Sequence, residues 1–493
     1  MAAAFGVAGQ STFTLTMVPV VLSGVSAVLV WRIAKRFVSD PALAILAGAL
    51  AWTAPLPAVF QSTYEGGYRG LVLVCGLGLV LCSVRVLDGY ASFLEFVAIG
   101  LLVGVGWWAL PEIVYFYVPA LLIMVGSFLP RLHSGQWAWV AKRSTVAILF
   151  AIVGALPWLW SNIQSGFASL DSGSFPGAST PLNPGFIGRL QHFYHAALPL
   201  QLNLRRLVSG DWAFVNGASS VRHAALVIVV VAVLLMLLVV IALCLMHRRR
   251  SMVLAVTVIV FPILVALQPA TWFWQDGRYT AYLGSFLALA VAVASEEAAR
   301  LWLGRRSPRF HADRNGNSLA QWIMCSAVLL NLALTVFDFH GSFDVSPASF
   351  ARAWGNPDAA ASRTVAILEQ QGIVAGVADY WVAYKLDFLS NGRLAFSVDG
   401  SDPNRVPNVS ERAKRGSHQA WLFVPDESFP EAAREFGDTQ ALVGPAGISE
   451  DQFIKQLALH GVGYQVKRVG LFDVVTPAGK VTLEGLGLSH PLA

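Results

Sequence analysis

Charge is what this chain lacks most. Only 13% of its 493 residues are charged and 56% are hydrophobic, whereas about a quarter of an ordinary soluble domain is charged. A single water-soluble domain is excluded, and the composition is that of a chain crossing a bilayer many times. Cysteine is scarce as well. Cys75, Cys82, Cys244 and Cys325 lie in apolar stretches without metal-ligand spacing, so they read as buried thiols. No Asp or Glu precedes Asp40, and the opening Met1-Ala2-Ala3-Ala4-Phe5 lacks the positive region of a signal peptide. The net charge of +5 asks for no nucleic acid, because the basic residues cluster between apolar runs.

What is abundant is long apolar sequence. Runs of crossing length can be marked about ten times. They lie near Phe13–Trp31, Pro41–Phe60, Tyr68–Val86, Phe93–Leu110, Ile113–Leu129, Thr145–Trp160, Ala224–Met246, Met252–Gln268, Tyr279–Ala294 and Leu319–Phe337. Basic residues follow every odd-numbered run: Arg32, Lys35 and Arg36; Arg85; Arg131, Lys142 and Arg143; His247 to Arg250; and Arg300, Arg305, Arg306 and Arg309. The positive-inside rule makes those loops cytoplasmic. The alternate loops, around Tyr64, Glu112, Ser161–Arg222 and Gln275–Arg278, are then extracytoplasmic, with Met1–Thr12 and everything after Phe337. The predicted architecture is a polytopic α-helical membrane domain over 1–337, carrying the extracytoplasmic loop 161–222, and an extracytoplasmic α/β domain over 338–493.

The tail is polar and regularly charged. Pro357–Gln371 reads as a helix, Ile373–Ala378 and Gln419–Val424 as strands, Glu427–Phe436 and Ser449–His460 as helices, and Tyr464–Val475 as a strand pair. Strands alternating with helices predict a small mixed sheet.

The outward loops hold the polar groups that chemistry needs. In Gln61–Gly70, Glu65 and Arg69 stand four apart beside Tyr64. They make either a local ion pair or an acid–base with a phosphate-binding cation. In Gly104–Ala120, an aromatic belt and a helix stop account for Trp107, Trp108 and Pro111 but leave Glu112 over; its bland reading is an acid favoured by the helix dipole. In the 161–222 loop, His192 and His195 share a helix face, and Leu198, Leu200, Leu202 and Leu204 suit packing on the membrane surface. A divalent metal is the minority reading there, since no third ligand appears at a telling spacing. In Trp272–Tyr279, Asp276 pairs with Arg278, or Arg278 holds a phosphate that Tyr279 orients.

Three passages carry a family resemblance: the Trp107-Trp108-Ala109-Leu110-Pro111 turn, Asp276-Gly277-Arg278-Tyr279 at the start of a late helix, and Ala378-Asp379-Tyr380-Trp381-Val382-Ala383-Tyr384 in the tail. The chain resembles bacterial membrane glycosyltransferases of the GT-C type, in the branch with lipid A galacturonosyltransferases, aminoarabinose transferases and protein mannosyltransferases. The resemblance implies a polyprenyl-phosphate sugar donor, inversion at the anomeric carbon and an extracytoplasmic active site in the bacterial inner (plasma) membrane. It also implies a catalytic acid in a first extracytoplasmic loop. That acid is missing, because Asp40 falls on the cytoplasmic side. Either a further helix and loop precede Met1 in the natural protein, or the chain is a catalytically incomplete homologue.

The leading expectation is therefore sugar transfer from a polyprenyl-phosphate donor to an extracytoplasmic glycan, lipid or protein. Glu65 and Glu112 are the candidate catalytic acids. Tyr64, Arg69, Trp107, Trp108, His192, His195, Asp276, Arg278 and Tyr279 are the candidate substrate-binding residues. The competing expectation is a translocator of lipid-linked sugars. Its marks would be ionisable residues at mid-helix depth and broken helices in matching halves; here the acids cluster at one surface and no repeat stands out.

Overall fold

A computed structural model describes residues 2–9, 11–53, 68–164, 166–167, 185–202, 260–268, 280–304, 312–342, 359–398, 407–415, 419–428 and 444–488. The chain separates into two compact units, one containing the helices up to residue 342 and the other the strands and helices from 359 onward.

In the first unit, the main helices are α1 (Thr12–Phe37), α2 (Pro41–Trp52), α3 (Tyr68–Leu87), α4 (Phe93–Ala109), α5 (Val114–His133) and α6 (Trp137–Gly154). Next come α7 (Leu156–Gln164), α8 (Gly185–His192), α9 (260–267), α10 (Leu283–Gly304) and α11 (Ala312–Ser342). Five of the described helices are long and apolar enough to cross a membrane. Local sequence explains their ends. Asp40 caps α2 by accepting from the Ala42 amide at 2.9 Å, and Pro41 stands at the first helical position, where a missing N–H costs nothing. Ser92 caps α4. Leu110 closes α4 in extended backbone, φ −168°, because the proline after it disfavours helical geometry. Pro111–Ile113 then makes one 3-10 turn before α5 begins.

Three expected boundaries move. Lys142 and Arg143 sit inside α6, which starts at Trp137, rather than in a loop before a helix at 145. Arg131 lies in the last turn of α5, and Arg300 lies within α10, which runs ten residues beyond Ala294. Each basic side chain belongs to a helix end because its aliphatic stem covers apolar surface while its head reaches outward. The expected run at 224–246, and the first part of that at 252–268, lie outside the described residues.

Association between apolar helices in lipid rests on close van der Waals packing, which favours small residues. Helices α4 and α6 meet through Gly100, Gly104 and Gly154. A Cβ on Gly104 would stand 2.1 Å from the Ala151 carbonyl oxygen, and one on Gly100 2.3 Å from that of Ala147. The Tyr117 hydroxyl donates to the Val103 carbonyl at 2.9 Å and ties α5 to α4.

Polar contacts gather at the end of the unit where α1, α3 and α10 finish. Arg36 pairs with Asp88 at 3.2 Å, Arg85 with Glu95 at 2.6 Å and Arg300 with Glu296 at 2.6 Å. The Ser39 amide donates to the buried Glu296 carboxylate at 3.0 Å, and Gln321 donates to Asp40 at 2.7 Å. This is the end that the basic-residue count assigns to the cytoplasm.

The second unit contains α12 (Ala359–Gln370), β1 (Ala375–Val377), α13 (Tyr380–Leu389), β2 (Ala395–Ser397), α14 (Pro407–Arg415), β3 (Ala420–Phe423), α15 (Glu450–Leu459), β4 (Tyr464–Val469) and β5 (Phe472–Pro477). The mixed sheet runs β2-β1-β3-β5-β4, with β1 parallel to β2 and β3, and the β3–β5 and β5–β4 pairs antiparallel. Period-two alternation on β3 builds a core on each face. Leu422 joins Leu368, Leu386, Phe396 and Phe472 on one side, while Trp421 and Phe423 join Phe453 and Val475 on the other. The Trp421 and Phe453 rings lie 4.5 Å apart. Ser449 and Gln452 form a capping box at the start of α15, where the sequence pattern placed that helix. Helices α13 and α14 and strand β2 were not anticipated; the expected helix at 427–436 lies mostly outside the described residues.

Candidate functional site

The centre of the site is the 3-10 turn after α4. Glu112 is 4% exposed, so the acid left over at this turn is buried within the helical unit. A buried carboxylate needs donors or a counter-charge, and both come from distant helices. The Tyr282 hydroxyl donates to Glu112 Oε2 at 2.6 Å, a length typical of a hydrogen bond to an ionised oxygen. Arg69 Nε lies 3.6 Å from the same oxygen, an ion-pair distance longer than a hydrogen bond. Arg69 is also held by its neighbour: Nη1 donates to the Tyr68 hydroxyl at 3.1 Å, and the guanidinium lies 5.0 Å from that ring's centre. Arg69 thus faces α5 rather than only its own helix turn.

Aromatic packing fixes this arrangement from beneath. Phe116 lies 5.7 Å from the Tyr282 ring, edge to face, and 5.4 Å from Phe286. Phe116 fits because position 76 is glycine: a Cβ there would stand 2.2 Å from a carbon of the Phe116 ring. Tyr115 lies 5.9 Å from Tyr282 and 4.9 Å from Phe261 on α9, and its hydroxyl donates to Gln268 Oε1 at 2.9 Å. Nearby, Gln201 Nε2 donates to the Thr280 hydroxyl at 3.1 Å, both side chains buried. Arg189 on α8 donates to the Ala266 carbonyl at 2.7 Å.

The two tryptophans of the turn part company. Trp107 packs edge-on against Trp158 at 5.9 Å, whereas Trp108 is 49% exposed, as a membrane-interface residue would be. His192 is exposed at the end of α8. His195 lies on the helical turn Phe193–Ala197, and its side chain is outside the described residues. Leu198 is buried in the helical unit's own core rather than turned to a membrane surface, because it packs against other helices, whereas Leu204 lies outside the described residues along with Tyr64, Glu65, Asp276, Arg278 and Tyr279. Among the described residues no three His, Cys, Asp or Glu side chains come together in a way that would hold a metal ion.

Sequence reasoning passed over Tyr282, Tyr115 and Gln268. A signal existed for each. Tyr282 is one helical turn beyond Tyr279, Tyr115 follows Glu112 by three, and Gln268 is the polar residue that ends an otherwise apolar run.

No protein-family model matches the chain. No curated protein matches it in sequence. Solved structures do resemble it in shape. ArnT from Cupriavidus metallidurans in the apo state aligns with a TM-score of 0.51 at 13% identity, over 99% of this chain and 87% of that one. The same protein bound to undecaprenyl phosphate gives 0.46 at 12% identity, over 96% and 86%. The apo oligosaccharyltransferase of Archaeoglobus fulgidus gives 0.40 at 12% identity, over 86% and 60%. The likeness to apo ArnT shows the fold alone: a polytopic helical membrane domain followed by a sheet-containing C-terminal region.

Proposed function

We propose that the chain transfers a sugar from a polyprenyl-phosphate donor to a hydroxyl of an extracytoplasmic acceptor, in a bacterial inner membrane. The observation that carries this reading is the Arg69–Glu112–Tyr282 constellation. It is a buried carboxylate fixing a cation at one end of a GT-C fold, at the end opposite the basic loops. In the reaction, the acceptor oxygen bonds to the anomeric carbon as its bond to the phosphate oxygen breaks. The phosphate leaves with the electron pair, and a carboxylate takes the acceptor's proton.

Glu112 suits positioning better than proton transfer, because one of its oxygens already faces both Tyr282 and Arg69. Its role is to aim Arg69 at the departing phosphate. Glu65, four residues before Arg69, remains the candidate base, and Arg278 with Tyr279 a second phosphate clamp.

The test is transfer in membranes from polyprenyl-phosphate sugars, comparing wild type with Glu112→Gln, Arg69→Gln, Glu65→Gln and Arg278→Gln. Losing one charge-assisted hydrogen bond worth about 1.5–3 kcal/mol should slow transfer roughly ten- to a hundred-fold. Undiminished transfer in the Glu112 and Arg69 variants would sink the site assignment. No transfer by wild type from any such donor would sink the enzyme reading.

A further inference from the structure

The last turn of α5 and the first two turns of α6 bring two guanidinium groups onto one indole. The Arg131 guanidinium carbon lies 4.4 Å from the centre of the Trp139 ring, and that of Arg143 lies 5.7 Å from the same ring. Arg143 is also 5.7 Å from the Phe96 ring. Trp139 is fixed edge-on against Phe96 at 5.9 Å and Phe128 at 6.1 Å, so the platform is rigid. Arg131 Nη1 donates to the Ser127 carbonyl at 3.2 Å, which sets the direction of its fork.

At this same end of the unit, Arg36, Arg85 and Arg300 each have a carboxylate within 3.2 Å. Arg131, Lys142 and Arg143 have none among the described residues. Like charges held beside one ring, at the edge of a hydrocarbon slab, repel each other without a counter-ion. An indole face attracts cations but carries no net charge. The arrangement is short of one anion.

The surroundings indicate where that anion comes from. Lys142 begins an exposed stripe on α6 that continues seven and eleven residues on through Leu149 and Val153. An anion on the arginines therefore has an apolar strip beside it, running along a helix long enough to cross a bilayer. The donor phosphate of the proposed reaction belongs elsewhere: Arg131 is seventeen residues beyond Val114, or about 26 Å along α5 from the Glu112 turn.

We propose that Arg131, Arg143 and Lys142 form a binding site for the phosphodiester headgroup of an anionic bilayer phospholipid. Its non-bridging oxygens would lie between the two guanidiniums, and its acyl chains along Leu149 and Val153. The recognition is by positive charge, whose attraction a zwitterionic headgroup partly cancels.

The test uses the full chain purified in neutral detergent and titrated with dioleoylphosphatidylglycerol or dioleoylphosphatidylcholine, with retained lipid counted by native mass spectrometry. Saturable retention of the glycerol lipid over the choline lipid is expected. The R131Q/R143Q variant should lower the apparent affinity for the glycerol lipid by about five-fold per arginine and leave the choline lipid unchanged. Because that variant also removes repulsion, it should unfold no earlier than wild type in lipid-free detergent. R131K/R143K, which keeps both charges, should keep the headgroup preference. Equal retention of the two lipids, or full retention of the glycerol lipid by R131Q/R143Q, would overturn the proposal. So would loss of the preference in a lysine variant that unfolds normally. Displacement of the bound lipid by millimolar inorganic phosphate would mean that the site takes a free anion, and would overturn its assignment to a bilayer lipid.

Discussion

The hydroxyl of Tyr282 and the carboxylate of Glu112 stand 170 positions apart in sequence and 2.6 Å apart in space, both inside the helical unit. The contact joins the residue before α10 to the turn between α4 and α5, and it lies beneath Arg69. The chemistry assigned to this end of the molecule depends on that one hydrogen bond keeping the carboxylate in place.

Tyr282→Phe removes the donor and leaves the ring packing against Phe116 and Tyr115. Thermal unfolding in detergent should show a loss of about 1.5–3 kcal/mol, the range for hydrogen bonds to charged groups. Glu112→Gln in the same background should cost less than the sum of the two single changes, because both act on one contact. Strict additivity would argue against a direct bond.

Gly104→Ala places a methyl 2.1 Å from the Ala151 carbonyl oxygen, and backbone cannot step aside as a flexible side chain can. Helices α4 and α6 must separate, at a cost of about 1–3 kcal/mol. Gly126→Ala is the control, since nothing lies within 4 Å of a Cβ there. Equal melting temperatures for the two variants would refute the packing account.

Gly76→Ala acts on the site without touching a polar group. The methyl displaces the Phe116 ring, which supports Tyr282 and Phe286. Sugar transfer and stability should both fall, and Phe116→Leu, which clears space, should recover part of the stability. A double variant no better than the single one would break the link from Gly76 to Phe116.

In the second unit, Glu450 at the start of α15 has its carboxyl raised to about 7. Burial is the largest cause, followed by the charge and shared hydrogen bond of Asp473 and then by Asp451, with Arg468 opposing them. A carboxyl raised on folding binds its proton more tightly in the folded chain. Its stabilising contribution is complete below the ordinary value of 4.5 and is lost as pH climbs through about 7. Thermal unfolding of the full chain should therefore weaken across that window in wild type more than in Glu450→Gln. Parallel pH profiles would count against the shift.

How far sequence reached this picture depended on the range of the interactions involved. Glu112 stood out because an aromatic belt and a helix stop left it unexplained; its partners did not, since residue spacing reports neighbours on one helix and says nothing about which helices meet. Arg143 illustrates the same limit. Read along the chain it belonged to a basic loop, but it stands inside α6 beside Trp139 of the same helix and Phe96 of α4. In the tail, β3 was visible through its run of apolar residues, and α15 through Ser449 and its following polar turn. Helix α13 was hidden because Asp379-Tyr380-Trp381 drew attention as a motif rather than as a helix start. Strand β2, three residues long, has too short a pattern to register.

Helices α3 and α10 are guyed at both poles. Arg69 at the head of α3 reaches Glu112, and Arg85 near its foot reaches Glu95; Tyr282 precedes α10, and Glu296 and Arg300 tie it to Ser39 from two-thirds of the way down. A rod tied at one end can piston or swing, but a rod tied at both can only bow or roll in its socket. Axial sliding of either helix would have to break a polar tie at the head and another at the foot together. The bundle is thus built to hold a fixed depth for Arg69.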